Sequence, residues 1–184
     1  MPIWLIVVLV IVVLLVLWFI GVNNSLVGLR NKVRNQFSQI DIQLKKRYDL
    51  IPNLVETVKG YAKHESETFE KVIAARSGYA SAKTDDEKIE AAGELTKCVS
   101  RLLAVAENYP ELKADSQFLN LQNQLKEIED KISYARQFYN DAVMAYNNKI
   151  QVFPNNFVAG ILGFKSEKFF ETDEQSRENV KVEF

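Results

Sequence analysis

Hydrophobic and polar positions divide the chain into an unbroken apolar stretch, a long section with helical periodicity, and a short end of mixed character. The apolar stretch, residues 3–22, reads IWLIVVLVIVVLLVLWFIGV and contains no charged side chain. Twenty residues at the rise of an α-helix cover roughly 30 Å, the thickness of the hydrocarbon layer of a bilayer. Trp4 and Trp18 stand near its ends, where indole rings favour the membrane interface. The pattern predicts a transmembrane anchor, residues 1–22, that contacts lipid through residues 3–22.

The alternatives to a membrane anchor fit this stretch poorly. A cleaved signal peptide begins with basic residues, has a shorter apolar part and ends at small residues, and none of these features is present. A core helix of a soluble domain is rarely apolar on every face over this length. We therefore expect an uncleaved anchor.

From the anchor to Pro154, apolar residues recur every three or four positions, which is the spacing of an amphipathic α-helix. The first run consists of Leu26, Leu29, Val33, Phe37, Ile40, Leu44, Tyr48 and Ile51. The last run has a mean spacing of 3.5 residues, as in a coiled coil, and consists of Phe118, Leu121, Leu125, Ile128, Ile132, Ala135, Tyr139, Ala142, Tyr146, Ile150 and Phe153. Each apolar stripe needs a partner, so this section predicts packed helices.

Pro52 interrupts the first run. A proline inside a helix removes a hydrogen bond and costs about 3 kcal/mol, whereas in the first turn of a helix it costs almost nothing. We therefore expect the first helix to end near Tyr48, a turn at residues 49–51, and a second helix from Pro52 to about Ser81. A single helix kinked at Pro52 is the alternative.

Two further breaks complete the predicted fold. Thr84 or Asp85 is the candidate N-cap of a third helix, which stops before Pro110. Because short connections make consecutive helices antiparallel, residues 23–153 predict an all-α, up-and-down antiparallel bundle of four helices behind the transmembrane helix. Residues 154–184 are expected to form an irregular tail that packs on the bundle. In the alternative, the apolar residues between Phe157 and Phe164 touch the membrane interface.

Charge argues against one class of partner and orients the anchor. The chain has 23 Lys and Arg against 24 Asp and Glu, a balance that argues against nucleic acid, which binds to a clustered basic surface. No Lys or Arg precedes the span, whereas one acidic residue, Asp41, and six basic residues lie between Gly21 and Tyr48: Arg30, Lys32, Arg34, Lys45, Lys46 and Arg47. By the positive-inside rule, the bulk of the protein is then cytoplasmic. The alternative is that these are ordinary solvated charges on a helix.

Residues suited to catalysis or metal binding are sparse. His64 is the single histidine, and the two-iron sites of helical bundles need Glu-x-x-His pairs, whereas Tyr61 occupies the glutamate position. The single cysteine, Cys98, lies on a different predicted helix and is expected to be a buried, small apolar side chain. The chain contains no phosphate-binding-loop, dinucleotide-binding or nucleophile-elbow motif. We predict no catalytic, cofactor-binding or metal-binding residues, and no enzymatic activity.

Tyrosines and arginines at helical spacing leave a second function open. The set is Tyr48, Tyr61, Tyr79, Tyr109, Tyr134, Tyr139 and Tyr146, with Arg47, Arg76, Arg101 and Arg136. Either their rings pack between helices with the hydroxyls turned to water or to carboxylates, or they line a polar groove. A pocket lined by buried, unpaired charged groups, such as Arg47, Asp49, Arg76 or Glu107, would favour the groove.

Three blocks of sequence carry a family resemblance: QIDIQLKKRYDLIPNLVETVKGYAKHE, RLLAVAENYPELKA and LQNQLKEIEDKISYARQFYNDAVMAYNNKIQVFP. In this order they closely resemble the LemA family of bacterial and archaeal membrane-anchored proteins, over Val27 to Phe184. The resemblance implies a helical bundle behind an N-terminal anchor and supplies no activity, because the family has no agreed catalytic residues. Some relatives carry a lipid-attached cysteine in place of the span, which would hold the bundle outside the cytoplasm. This chain has FIGVNNS there and no cysteine, which leaves the sidedness open.

The expected function is therefore a membrane-anchored interaction or scaffolding module that binds a protein partner or associates with itself. The alternative is a small-ligand receptor or enzyme with a tyrosine and arginine groove between helices. A third hypothesis is a role of the basic first helix at the bilayer surface, where anionic lipid would attract it.

Overall fold

The structure is a computed structural model that describes residues 2–170. Within that range it is helical, without strands, and the helices are α1 (Ile3–Tyr61), α2 (Ser66–Ser81), α3 (Asp85–Ala106), α4 (Pro110–Lys113), α5 (Ser116–Gln151) and α6 (Asn155–Leu162). The predicted all-α, up-and-down bundle behind an apolar N-terminal helix is confirmed, with two short helices, α4 and α6, in addition. The part of the predicted tail from residue 171 onward lies outside the described residues.

The chain divides into two compact units, each built from parts of the two long helices. The first unit contains the chain up to Gln39 together with Ala135–Phe170, and the second contains Ile40–Tyr134. Each unit therefore combines a stretch of α1 with a stretch of α5.

The first part of α1 is a candidate membrane span. Its most apolar 18-residue window has a mean hydropathy of 3.5, and only 6% of that window is buried. Ile3 and Leu9, for example, are 80% and 65% exposed. A core helix of a soluble protein would be mostly buried, so the exposure of this apolar surface fits a lipid environment.

The expected helix break at Pro52 is wrong, because α1 continues through Pro52 to Tyr61. The break falls instead at residues 62–65, inside the stretch expected to form one helix from Pro52 to Ser81. Proline has no N–H, so the carbonyl of Tyr48, four residues earlier, loses its helical donor. Arg76 of α2 replaces it with a long hydrogen bond, 3.4 Å from Nε to the Tyr48 oxygen, and its guanidinium lies 4.0 Å from the centre of the Tyr48 ring. Ile51 and Leu54, at most 1% exposed on either side of the proline, supply packing that offsets the cost of a proline inside the helix.

The core of the second unit gathers residues from α1 to α5 around one apolar cluster. Its buried members are Ile51, Leu54, Val55, Val58, Ala62, Phe69, Val72, Leu95, Val99, Leu102, Ala106, Leu112, Phe118 and Leu125. Thr84 is the N-cap of α3, and its hydroxyl oxygen accepts a hydrogen bond from the Glu87 N–H at 3.2 Å. The Glu87 carboxylate in turn accepts a hydrogen bond from the Thr84 N–H, which completes a capping box.

The core of the first unit joins α6 to α1. Val158 and Ala159 of α6 pack with Val22 and Leu26 of α1, and all four are at most 7% exposed. Gly163 ends α6 in the left-handed region, φ +72°, which glycine adopts without steric cost. After this turn the chain runs extended along α5.

Candidate functional site

The most unusual polar group of the second unit is Arg47, which is 0% exposed. It lies on α1, and one terminal nitrogen donates to Thr96 Oγ1 of α3 and to Glu129 Oε1 of α5, each at 2.6 Å. The other donates to the Ala92 carbonyl at 2.9 Å. Its Nε has no hydrogen-bond partner within the described residues. One guanidinium therefore ties three helices together.

This network is built as a structural tie. A buried charge is expensive unless it is paired and hydrogen-bonded, and four of the five donors of Arg47 lie on the two terminal nitrogens that make these bonds. The Glu129 side chain is 39% exposed, so water reaches one end of the ion pair. Because the donors and acceptors must align, the network fixes the relative register of α1, α3 and α5.

A second polar cluster surrounds Asp41. Its Oδ1 accepts hydrogen bonds from the Tyr79 hydroxyl at 3.3 Å and from Lys88 Nζ at 3.1 Å. Burial, together with the charge of Asp41, raises the pKa of Tyr79 to about 12. The Tyr79 ring also packs against Tyr48, with 5.8 Å between ring centres. Both tyrosines pack between helices, and the Tyr79 hydroxyl pairs with the Asp41 carboxylate.

The predicted set of tyrosines and arginines divides between the two units. In the second unit, Arg101 is exposed on α3. In the first unit, the guanidinium of Arg136 lies 4.3 Å from the centre of the Phe170 ring. Asp49 is exposed, with an oxygen 3.8 Å from Lys45 Nζ, and Glu107 is exposed at the end of α3.

His64 and Cys98 lie on different elements and differ in exposure. His64 is exposed in the turn between α1 and α2, whereas Cys98 is half-buried on α3 against the apolar core. Within residues 2–170, no three His, Cys, Asp or Glu side chains come together as ligands for a metal ion.

An open groove of about 430 Å³ lies between α2 and α3. Small residues line much of it, namely Ala75, Gly78, Ser81, Ala82 and Ala91, and three glutamates complete the lining: Glu87, Glu90 and Glu94. Glu87 caps α3 and Glu94 pairs with Lys97 at 3.0 Å. Within the described chain, Glu90 makes no hydrogen bond or ion pair. A Cβ placed on Gly78 would meet no atom within 4 Å, so no steric contact within residues 2–170 requires glycine there.

In the first unit, two asparagines of α5 hold residues 165–170 as an extended segment. Asn147 donates from Nδ2 to the Glu167 carbonyl at 2.8 Å and accepts from the Glu167 N–H at 2.9 Å. Asn140 repeats both bonds with Phe170, at 3.1 and 2.8 Å. Seven helical residues rise about 10.5 Å and three extended residues span roughly 10 Å, so the two pairs match in spacing.

Sequence reasoning missed both asparagine pairs, and it named Arg47 as a possible groove residue but not as a buried arginine hydrogen-bonded to two other helices. Each asparagine follows a tyrosine, Tyr139 or Tyr146, and the two tyrosine hydroxyls donate to carbonyls of the same segment at 3.0 and 2.9 Å. The repeat of Tyr-Asn after seven residues is the signal that could have revealed a segment docked on α5. For Arg47, the signal is a charged residue three or four positions from the buried Leu44 and Ile51.

Comparisons with known proteins give relatives over most of the chain. The model of the LemA family matches residues 36–184. Protein LemA of Metamycoplasma hominis is 27% identical over 163 residues, covering 88% of this chain and 74% of that protein. Magnetosome protein MamQ 2 of Paramagnetospirillum magneticum and Magnetosome protein MamQ of Magnetospirillum gryphiswaldense are 26% and 23% identical. In both, the match covers 80% of this chain and 64% of the relative, so the chain spans just under two thirds of their length.

Proposed function

The chain belongs to the LemA family and is a membrane-associated protein with an apolar N-terminal helix, and we propose that it is a non-enzymatic module that binds a protein partner. The observation that carries the proposal is the open groove between α2 and α3. Its small lining residues let another backbone approach closely, as they do where helices pack against each other. A mid-helix glycine costs about 1 kcal/mol relative to alanine, and within residues 2–170 no atom stands in the way of a Cβ on Gly78.

The charge of the groove indicates the kind of partner. Three glutamates line it, and Glu90 among them makes no ion pair within residues 2–170. A helix with lysine or arginine on its contact face complements this surface, and the resulting pairs would set its orientation and specificity. We therefore propose a basic helical segment of a protein partner as the occupant.

A receptor or enzyme is less well supported by the same unit. The alternative needs unpaired charge in a pocket, yet Arg47 makes hydrogen bonds to three partners in place. The guanidinium of Arg76 stacks on the Tyr48 ring, and its Nε donates a hydrogen bond to the Tyr48 carbonyl. Both arginines are thus engaged in holding helices together, which supports a structural role for them.

The groove is tested by crosslinking in membranes. A photoreactive amino acid at Ser81, which lines the groove, is expected to trap a specific partner, whereas the same probe at Gln124 on α5 traps none. Gly78→Leu places a larger side chain in the groove at a position where a Cβ meets no atom within 4 Å, so it should abolish the adduct and, by replacing a mid-helix glycine, raise the urea midpoint slightly. Ala80→Leu, exposed on the same helix but outside the groove lining, is the matched control and should keep the adduct.

Three outcomes are informative. An adduct that survives Gly78→Leu, or appears equally at both probe sites, refutes the groove as the binding surface. An adduct with twice the mass of the chain assigns the groove to self-association. Glu90→Arg should weaken the binding of a basic partner and leave the binding of a neutral partner unaffected, which tests the charge argument separately.

We also propose that the bundle faces the cytoplasm. Support comes from the basic residues that follow the span. Reporters fused after Phe184 test this in a bacterial host, since green fluorescent protein matures in the cytoplasm and alkaline phosphatase is active outside it. Phosphatase activity without fluorescence would show that the bundle lies outside the cytoplasm and would refute this orientation.

A further inference from the structure

Exposed apolar side chains concentrate around α6 in the first unit. Phe153, Phe157 and Ile161 are 73%, 64% and 74% exposed, and the rings of the two phenylalanines meet with 6.1 Å between their centres. The opposite face of α6 is buried, with Val158 and Ala159 at 1% and 3% exposure. Contact of the outer apolar face with water is unfavourable, and a helix that is apolar on both faces is usually buried on both. We therefore expect another apolar surface to contact the outer face of α6.

The position of α6 beside the end of the span indicates that this apolar surface is the bilayer. Its buried face contacts Phe19, Val22 and Leu26 of α1, which lie at the end of the candidate membrane span. From Val22, the last residue of the apolar stretch, to Leu26 the helix rises about 6 Å, comparable with the headgroup layer of roughly 5–7 Å on one side of a bilayer. The exposed face of α6 therefore continues the apolar surface of the span at the level where α1 leaves the hydrocarbon.

Basic side chains accompany this apolar face. After the span, the first unit contains seven Lys and Arg against two acidic residues, whereas residues 40–134 contain 14 against 17. Arg30 lies with its guanidinium 5.0 Å from the centre of the Phe164 ring, and Phe164 packs on the α6 core. Lys165 follows directly and is exposed. Apolar residues flanked by cations are the composition of segments that lie in an anionic membrane interface.

We propose that α6 and the preceding Phe153 form a second membrane contact, in which Phe153, Phe157 and Ile161 insert into the boundary between headgroups and acyl chains of the bilayer that α1 crosses. Arg30 and Lys165 then lie at the level of the lipid phosphates. The first unit is held against the membrane surface by two elements instead of one. This inference rests on α1 as a span and does not depend on the groove between α2 and α3.

The test uses the full-length protein in nanodiscs containing anionic lipid. Cys98→Ala removes the native thiol, and a nitroxide is attached at Gly160→Cys, where a Cβ meets no atom within 4 Å. A second sample carries the nitroxide at Ser38→Cys, exposed on α1 about 24 Å beyond Val22. Electron paramagnetic resonance then measures accessibility to oxygen, which concentrates in lipid, and to a nickel chelate, which stays in water.

We expect the nitroxide at residue 160 to lose nickel accessibility and gain oxygen accessibility relative to residue 38. The pair F157D and I161D changes only exposed side chains, so circular dichroism should be unaffected while nickel accessibility at residue 160 returns. Equal nickel accessibility at the two sites overturns the proposal. Shielding from both nickel and oxygen would mean that protein, a second copy or another chain, covers α6, and it also overturns the lipid contact.

Discussion

Replacing Glu129 by alanine should destabilise the second unit more than replacing Arg47 by methionine, although the two side chains form one ion pair. Arg47 is 0% exposed, whereas the Glu129 side chain is 39% exposed. Loss of Glu129 leaves a buried cation without its counter-charge, and water cannot reach it. Loss of Arg47 leaves a carboxylate that water already reaches. The order of the two effects therefore follows from burial alone.

The magnitudes follow from the same geometry. Removing one partner of a fully buried pair costs about 3–5 kcal/mol of stability. Because Glu129 is partly exposed, we expect Glu129→Ala to fall at the lower end of this range, at about 3 kcal/mol. Methionine fills most of the volume of Arg47, and the Ala92 carbonyl keeps the Thr96 hydroxyl as a donor at 2.9 Å. Arg47→Met should cost about 1 kcal/mol, because replacing a buried charge by an apolar side chain is often close to neutral.

Urea denaturation of the full-length protein in mild detergent, followed by circular dichroism, measures both effects as shifts of the midpoint at constant slope. The double variant separates the pair from its surroundings: once Arg47 is methionine, removing Glu129 should cost almost nothing more. If Arg47→Met is the more damaging change, or if the two costs add in the double variant, the argument from asymmetric burial is wrong.

Three further predictions address other parts of the chain. Pro52→Ala restores a donor to the Tyr48 carbonyl and should raise the free energy of unfolding by about 1–3 kcal/mol, measured from the shift of the urea midpoint. No gain would mean that the proline does not destabilise α1. Asn147→Ala removes both bonds to Glu167 and should accelerate limited proteolysis within residues 165–170, with unchanged cleavage refuting the docking. The pKa of Tyr79 is raised from 10.0 to about 12, so its contribution to stability is complete below pH 10 and is lost as the pH rises toward 12. Tyr79→Phe should remove this pH dependence, measured by urea midpoints and by phenolate absorbance.

Several elements followed from local sequence patterns. The apolar run near the N-terminus, the helical spacing of the soluble part, and Thr84 as a candidate N-cap with Glu87 three residues later each depend on residues within a few positions of one another. The helix ends at Ser81 and before Pro110 also agree with the local pattern. Such features require little knowledge of the remainder of the chain, because a helix and its caps are stabilised by near neighbours.

Pro52 and Arg47 needed the tertiary structure. The local cost of a proline predicted a break, but Arg76, 28 residues away, supplies a donor to the orphaned carbonyl, and core packing on both sides maintains the helix. For Arg47, apolar spacing alone does not distinguish it from its neighbour Tyr48, since both lie three or four positions from Leu44 and from Ile51. Which of them enters the core is decided by Thr96 and Glu129 on other helices.

The sequence by itself thus determined that this chain is a set of amphipathic helices behind an apolar anchor, because periodicity and composition are properties of neighbouring residues. Only the tertiary structure decided which polar groups are buried, how the segment after α6 docks on α5, and where the α2–α3 groove opens. These features arise from residues far apart in sequence, whose pairing depends on how the helices pack, and no local pattern encodes that packing.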